Sequence, residues 1–337
     1  LSMIVRSKAP LRLGLAGGGS DVSPYSDIYG GLILNATINL YTYCTIEETD
    51  DGMITIDSDD SHCHKSYPKV EYLNIDGEAS LIKGVYNRVI RDFDISPRSF
   101  KITTYNDAPA GSGLGTSSAM VVCVLKAFIE WLGLPLGDYE TSRLAYEIER
   151  KDLNLSGGKQ DQYAASFGGI NYFTFERNGD VNREKIDVSE DDKRLMDSKL
   201  MMFYTGISRS ADGILAKQSA ETSEKLDVLN YMRNQANDMK CLLNEEGFNI
   251  KFAEMLHDGW QKKKSIINSI SNNDIDSYYN LALEAGASGG KLLGAGGGGF
   301  ILVYCDEQYQ KAVREAVGLY ELNFRIARYG SRVVYFA

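Results

Sequence analysis

The chain has 337 residues, of which 43% are hydrophobic and 24% are charged. This composition is typical of a globular protein with a large core, and a length of ~150 residues per domain predicts two domains. The formal net charge of −10 argues against the basic surface of a nucleic-acid-binding protein. We therefore expect no nucleic-acid partner.

The five cysteines lie far apart and form no C-x-x-C pair. This spacing favours neither a disulfide framework nor a cysteine zinc site, and it fits a reducing cytoplasm. No apolar run approaches the length of a membrane span, and the first residues lack a signal-peptide pattern. We expect a cytoplasmic protein without a membrane partner.

The N-terminal part is rich in predicted strands. Residues 11–16 alternate in polarity and lead into a glycine-rich turn at 17–21, whose glycines imply a close backbone approach. Ser20 and Asp21 could simply cap the next helix. Residues 31–37 and 40–46 indicate two further strands. Asp51-Gly52 between strand patterns predicts a hairpin.

The centre of the chain has the order strand, glycine-rich loop, apolar helix. Residues 100–107 indicate the strand, and 118–133 the helix. Glycines let the backbone approach a ligand, and the helix N-terminus favours an anion. The hydroxyls at 116–118 could bond phosphate or Mg²⁺, or could cap the helix. The loop therefore predicts a phosphate site, with an ordinary ligand-free turn as the alternative.

The rest of the chain alternates helices and strands, which predicts the α+β class. An amphipathic helix is expected over 139–152 and a strand over 168–175. The charged stretch 176–199 lacks apolar periodicity and marks a domain boundary near residue 195. Helices are expected over about 211–243 and 252–270, with Lys262 to Lys264 on a solvated face.

The glycine-rich loops do not match the commonest nucleotide-binding motifs. Residues 294–299 fit G-x-G-x-x-G but precede a strand, whereas a dinucleotide fingerprint opens a helix. The loop at 109–119 lacks the Gly-Lys-[Ser/Thr] ending of a Walker P-loop, and the chain has no H-R-D or D-F-G triplet. Dehydrogenases, P-loop enzymes and protein kinases are excluded.

Three stretches, 8–21, 109–119 and 291–300, together resemble the three motifs of the GHMP small-molecule kinases. The central pattern P-x-x-x-G-L-G-[ST]-S-[SA]-A is specific, and the resemblance runs from about residue 4 to residue 330. It implies an N-terminal ATP-binding domain, 1–195, similar to the second domain of ribosomal protein S5. It also implies a ferredoxin-like C-terminal domain, 196–337, with the active site between the two.

The resemblance also implies roles for individual residues. Asp161 corresponds to the aspartate that faces the reacting hydroxyl, and Arg12 or Lys8 would neutralise the transferring phosphoryl group. Ser117 and Glu149 match the residues that bind Mg²⁺. The residues expected to hold ATP are Pro109, Gly111, Ser112, Gly113, Leu114, Gly115, Thr116, Ser117 and Ser118.

Within the family, the chain is most similar to the sugar 1-kinases. The spacing from Arg12 to Asp21 matches that in galactokinases, but Gly18 and Gly19 replace their Glu-His pair. Residues 16–21 and 158–163 resemble the heptose phosphate kinases, with the fucokinases as close relatives. The implied reaction phosphorylates the anomeric hydroxyl of D-glycero-D-manno-heptose 7-phosphate, for nucleotide-activated heptose and surface polysaccharide.

The expected substrate contacts combine the two glycine-rich turns with nearby charges. Arg209, a cation beside two serines at a predicted helix start, is the candidate for the distal phosphate, although a surface position is equally compatible. The residues expected to bind substrate are Gly18, Gly19, Ser20, Asp21, Lys159, Arg209, Gly296 and Gly297. Two alternatives stay open: an L-fucokinase-like kinase of an unphosphorylated sugar, and a non-catalytic sugar sensor. A homo-oligomer is compatible with either.

Overall fold

The computed structural model describes residues 3–59, 61–207, 211–221 and 225–337. Within these residues the chain forms an eight-stranded sheet and a four-stranded sheet. The strands, numbered in chain order, are β1 (Ile4–Ala16), β2 (Gly31–Glu48), β3 (Met53–Ser58), β4 (Cys63–Pro68), β5 (Phe100–Asn106), β6 (Ile170–Phe175), β7 (Val181–Lys185), β8 (Leu200–Tyr204), β9 (Ala287–Leu292), β10 (Phe300–Cys305), β11 (Tyr320–Glu321) and β12 (Arg332–Phe336).

Eleven α-helices in the described residues pack around these two sheets. They are α1 (Tyr25–Tyr29), α2 (Ser80–Phe93), α3 (Thr116–Leu132), α4 (Asp138–Glu147), α5 (Gln160–Phe167), α6 (Glu190–Lys199), α7 (Ala211–Ala220), α8 (Leu226–Glu245), α9 (Ile250–Lys264), α10 (Asn273–Glu284) and α11 (Glu307–Val317). None of the described helices is both long and apolar enough to span a bilayer. The α+β prediction is confirmed.

The large sheet has the order β12-β1-β2-β5-β3-β4, and β6 and β7 extend from β2. The two strands predicted at 31–37 and 40–46 are one long strand, β2, because β1 pairs along most of its length. One half of β2 takes β6 as its second neighbour and the other half takes β5. Bulges in β1 let one strand serve both halves.

The prediction that the strands on either side of Asp51-Gly52 pair as a hairpin is wrong. The turn is present, but β3 pairs with β4 and, in parallel, with β5, and it forms no ladder with β2. The edge of β2 that β3 would need is occupied by β5, from Thr42 opposite Asn106 to Glu48 opposite Phe100. A local turn signal cannot show that a later strand takes that edge.

Helix α3 is the apolar helix expected after the central loop. It packs against β1 and β2 on one side and against α2, α4 and α5 on others, so that nearly all its faces are buried. This enclosure explains its lack of a polar stripe, because burial on all sides removes the need for one. The loop that precedes α3 is therefore fixed to the middle of the large sheet.

The four-stranded sheet has the order β11-β8-β10-β9 and is covered by α9, α10 and α11. The boundary predicted near residue 195 falls inside α6, and the second sheet begins at Leu200. The last strand, β12, returns to pair with β1 in the first sheet.

The helix predicted over 211–243 is two helices, α7 and α8. The one predicted over 252–270 is α9 followed by a short 3-10 turn, Asn268–Ile270.

Candidate active site

A cavity of about 480 Å³ lies between N-terminal elements, β1, α3 and α5, and C-terminal elements, α7, α9 and β9. Both glycine-rich loops line it. Gly111, Gly113 and Gly115 come from the loop before α3, and Gly294 and Gly296 from the loop before β10. The structure thus brings together segments about 180 residues apart in the chain.

The loop before α3 has the geometry expected of an anion site. Gly115 caps the helix in a left-handed conformation with φ of 72°, and within the described part of the chain no side-chain cap bond is formed there. The first-turn amides have no acceptor within the helix. Gly113 has φ of 83°, and a Cβ there would meet the carbonyl of Leu293. Glycine is needed at this position because the two loops are in backbone contact.

Several residues predicted to hold ATP shape the loop without lining the cavity. Pro109 is exposed, whereas Ser112 and Leu114 are buried. The carbonyl of Ser112 accepts from the Phe300 amide at 3.2 Å, and that of Leu114 accepts from the Arg12 amide at 3.0 Å. These bonds fasten the loop to β10 and β1. The predicted Thr116, Ser117 and Ser118 do line the cavity.

Asp161 and Arg12 form an ion pair at the cavity wall. Arg12 Nε donates to Asp161 Oδ1 at 2.7 Å, and Arg12 Nη1 donates to the carbonyl of Gly113 at 2.6 Å. Arg12 is buried, while 23% of the Asp161 side chain is exposed to the cavity. The guanidinium therefore links a carboxylate that a ligand can reach to the backbone of the glycine-rich loop.

Asp21 is buried and has a structural partner. Its Oδ2 accepts from the amides of Lys159 at 2.9 Å and Gln160 at 3.0 Å, which caps α5 from outside the helix. Burial raises the pKa of Asp21 despite these bonds. A Cβ on Gly158 would overlap the Asp21 carboxylate, so glycine is required there. The predicted cap of the next helix is wrong, because α1 has Pro24 as its N-cap residue and Asp21 bonds to α5 instead. Asp21 also lines the cavity, where the predicted contact with substrate is compatible with the structure.

The other predicted substrate residues divide into two groups. Gly18 and Gly19 line the cavity beside Asp21. Ser20 does not line it, because its hydroxyl donates to the Leu32 carbonyl at 3.0 Å and accepts from the Leu32 amide at 3.1 Å. Gly296 lines the cavity, and the Gly297 amide instead donates to the carbonyl of Ile270 at 2.8 Å.

Three predicted cations lie elsewhere or cannot be placed. The Lys8 ammonium lies 4.1 Å from the centre of the Tyr41 ring, and Lys8 is not among the residues that line the cavity. Lys159 contributes its backbone amide to Asp21, while its ammonium lies 3.4 Å from Asp27. Arg209 lies outside the described residues.

Glu149 is buried in a π-helical turn, Ile148–Asp152, that continues α4. It accepts from the Ser118 hydroxyl at 3.0 Å and from the Gln162 amide group. Burial raises the pKa of Glu149, with Arg150 at 3.8 Å acting in the opposite direction. Thus Ser118 contacts Glu149 directly, while the prediction that Ser117 binds Mg²⁺ with Glu149 stays a prediction. Such π-helical turns are frequent at functional sites.

The residues around Glu149 are suited to Mg²⁺, which takes hard oxygen ligands. A buried carboxylate and the hydroxyls of Ser117 and Ser118 lie at the mouth of the anion loop, and all line the cavity. A divalent cation would stabilise the charged form of Glu149 that burial disfavours. The donor set therefore fits the ion that sequence resemblance implies.

Several buried polar atoms around the cavity have no hydrogen-bond partner among the described residues. Buried polar groups are normally paired, so a cluster of unpaired ones indicates a place where a ligand supplies the partners. Those on residues that line the cavity are Thr116 Oγ1, Arg150 Nε and Gln160 Oε1.

Two lysines that sequence reasoning missed also line the cavity. Lys263 was expected on a solvated face, but it is 5% exposed, and so is Lys291. Helical spacing could have revealed Lys263, because it continues the buried stripe of Leu256, Gly259 and Trp260. For Lys291 the available signal was its place beside the C-terminal glycine-rich loop.

The GHMP kinases N terminal domain family matches residues 80–169, and the GHMP kinases C terminal family matches residues 241–320. The chain is 41% identical over 332 residues to the D-glycero-alpha-D-manno-heptose 7-phosphate kinase of Campylobacter jejuni, with 97% of each chain covered. The chain belongs to the GHMP kinase family. The predicted two-domain fold of these ATP-dependent small-molecule kinases is confirmed.

Solved structures of GHMP kinases agree. A D-glycero-D-manno-heptose 1-phosphate kinase from Bacteroides thetaiotaomicron superposes with a TM-score of 0.85 at 51% identity, over 98% of this chain and 99% of that one. A putative sugar kinase from Campylobacter jejuni gives a TM-score of 0.82 at 39% identity, covering 99% and 98%. The L-fucokinase/L-fucose-1-P guanylyltransferase of Bacteroides fragilis is 28% identical, over 92% of this chain and 35% of that protein.

Proposed function

We propose that this GHMP kinase transfers the γ-phosphoryl group of ATP to the anomeric hydroxyl of D-glycero-D-manno-heptose 7-phosphate. The product would be the 1,7-bisphosphate, a precursor of nucleotide-activated heptose for surface polysaccharide. The observation that carries the proposal is the Asp161–Arg12 pair, which joins a reachable carboxylate to the glycine-rich loop. The heptose phosphate substrate is supported by the names of two relatives, which are 41% and 51% identical to this chain.

The ATP phosphates would lie at the N-terminus of α3, over the amides after Gly115 and beside the hydroxyls of Thr116, Ser117 and Ser118. Glu149, with Ser117 or Ser118, would hold Mg²⁺. The bound ion would neutralise charge on the phosphates and leave the phosphorus more open to attack. This arrangement accounts for the unpaired Thr116 hydroxyl at the cavity wall.

Asp161 would receive the proton of the anomeric hydroxyl as its oxygen bonds to the γ-phosphorus and ADP leaves. An anomeric hydroxyl is more acidic than an ordinary alcohol, so a carboxylate can accept this proton. Arg12 holds the carboxylate through Nε, and its charge would offset the negative charge that develops on the phosphoryl oxygens. Such transfer depends on alignment more than on covalent help from the protein.

The sugar would lie against the turn that contains Gly18, Gly19 and Asp21. Both glycines line the cavity without side chains, which leaves room where galactokinases carry a Glu-His pair. The substrate must keep its anomeric hydroxyl free for Asp161. We therefore favour a sugar phosphorylated at the far carbon over one already phosphorylated at carbon 1.

A coupled assay of ATP consumption over a panel of sugars tests this function. The panel comprises D-glycero-D-manno-heptose 7-phosphate, the corresponding 1-phosphate, the free heptose, L-fucose and galactose. We expect the 7-phosphate to give the largest kcat/KM, and ³¹P NMR of the product to show a new anomeric phosphate. Preference for L-fucose would support the fucokinase alternative, and turnover of none of them would favour a sugar sensor.

A further inference from the structure

Lys263 on α9 and Lys291 on β9 are buried cations on the C-terminal side of the cavity. The Lys263 ammonium donates to the carbonyl of Gly294, and the Lys291 ammonium donates to the carbonyl of Leu15 at 3.4 Å. In the described part of the chain, neither ammonium forms an ion pair with a carboxylate. Within these residues, the hydrogen bonds that the two buried ammonium groups donate therefore go to backbone carbonyls and not to carboxylates.

A third buried lysine, outside the cavity, provides a comparison because it is paired with a carboxylate. Lys83 on α2 is fully buried, and its ammonium forms an ion pair with Asp76 at 2.7 Å. Burial is the largest single influence and acts to lower the pKa of Lys83, but the hydrogen bonds and charges of Asp76 and Tyr67 together outweigh it, and that pKa is raised. Lys83 lies away from the cavity. A buried lysine with a structural role is thus paired here, and the two cavity lysines differ from it.

The surroundings of the two cavity lysines disfavour their charged forms, as expected where an anion could bind. Burial, and to a smaller extent the Arg12 guanidinium, lowers the pKa of Lys263 to about 8. Burial, together with Lys263 and Arg12, lowers the pKa of Lys291 well below its ordinary value. Arg12 is already paired with Asp161, and Asp21 offers Lys263 only longer-range attraction. Burying an unpaired charge is unfavourable unless a partner arrives.

We propose that Lys263 and Lys291 form a phosphate-binding subsite on the C-terminal side of the cavity. Two ammonium groups suit a phosphate dianion, which offers several oxygens and restores the balance of charge. The identity of the reactants rests on the proposed function, in which two phosphates are available: the γ-phosphate of ATP and the distal phosphate of the sugar. Arg209, predicted for the latter, lies outside the described residues, whereas both lysines lie within them.

Inorganic phosphate tests the subsite without any assumption about the sugar. The wild-type chain and its Lys263→Met, Lys291→Met and Lys83→Met variants are heated with increasing phosphate near pH 7.5. Methionine keeps most of the length of the side chain, being one atom shorter, and removes the charge. We expect phosphate to raise the wild-type Tm, and each cavity variant to bind phosphate about 10- to 100-fold more weakly, the loss typical of a hydrogen bond to a charged group.

The same variants give a control for folding. In phosphate-free buffer, Lys263→Met should keep or raise the Tm, because it removes an uncompensated buried charge. Lys83→Met should lower the Tm, since it breaks a paired one, and should keep the phosphate response of the wild type. Absence of a phosphate response in the wild type, or an equal response in the cavity variants, would overturn the proposal.

Two further comparisons identify the source of the phosphate. If the sugar supplies it, Lys263→Met should raise KM for heptose 7-phosphate at least tenfold and leave KM for the unphosphorylated heptose and the Kd for AMP-PNP unchanged. If ATP supplies it, the Kd for AMP-PNP should rise while that for ADP stays constant. Equal effects with and without the phosphate group would contradict the subsite. If the sugar assignment is wrong, the experiment with inorganic phosphate still decides the matter.

Discussion

The N-terminal and C-terminal walls of the cavity differ in whether their charged side chains are paired within the protein. On the N-terminal wall each charged group has a protein partner: Arg12 pairs with Asp161, Asp21 caps α5, and Glu149 accepts from Ser118. On the C-terminal wall, Lys263 and Lys291 donate hydrogen bonds to backbone carbonyls and, among the described residues, form no ion pair with a carboxylate. The charged groups of the first wall are thus paired within the protein, whereas those of the second are the ones for which we propose an anionic ligand.

The largest expected effect comes from removing the carboxylate of Asp161 from the N-terminal wall. Asp161→Asn preserves the shape of the side chain and removes the proton acceptor. We expect kcat to fall about 10³-fold, within the range for loss of a general base, while the Kd for ATP changes little. Steady-state kinetics together with calorimetric ATP binding check this, and near-normal turnover would refute the role given to Asp161.

The next effect concerns the pH dependence of the C-terminal wall. Because the folded pKa of Lys263, about 8, lies below the ordinary value of 10.5, the unfolded chain binds more protons between these values. Stability of the ligand-free protein should therefore rise through this interval, by about 2 kcal/mol from pH 7 to pH 9.5 for this group. The groups that face Lys263 are Arg12, Asp21 and Lys291.

Denaturant titrations of the wild type and Lys263→Met at the two pH values, in phosphate-free buffer, isolate this contribution. The difference between the two proteins in free energy of unfolding should shift in favour of the wild type at the higher pH. Groups common to both chains cancel in that difference. An unchanged difference would mean that Lys263 is not a buried, uncompensated charge.

A smaller effect sharpens the description of the metal ligands on the N-terminal wall. Glu149→Gln should raise the Mg²⁺ concentration needed for half-maximal activity about tenfold or more, because one charged oxygen ligand is lost. Comparison of Ser117→Ala with Ser118→Ala then shows which hydroxyl acts with Glu149. The contact in the structure predicts the larger effect for Ser118. Equal Mg²⁺ dependence in all three variants and the wild type would argue against a metal here.

The smallest effect is expected at Lys8. Resemblance to the family favours a catalytic role for Lys8, but its position in the structure does not. Its ammonium lies over Tyr41, outside the residues that line the cavity. Lys8→Met should change kcat and KM less than about twofold, as substitutions away from a site usually do. A large loss of kcat in a folded Lys8→Met variant would restore Lys8 to the mechanism.

Much of the site could be predicted from the sequence because its signals are local. A glycine-rich loop between a strand and an apolar helix depends on the backbone freedom of Gly113 and Gly115 and on the N-terminus of α3. The motifs also predicted the family and the α+β class. These properties need only neighbouring residues, or a pattern that the family repeats.

Only the tertiary structure decided which side chains meet. Arg12 and Asp161, 149 positions apart, are joined because β1 and the first turn of α5 line the same cavity. Ser118 instead of Ser117 faces Glu149 because of its position on α3 and the π-helical turn after α4. Packing against the second sheet buried Lys263, which composition placed on the surface. Helical spacing places Lys263 on the buried face of α9, but which groups it and the other side chains meet depends on long-range packing.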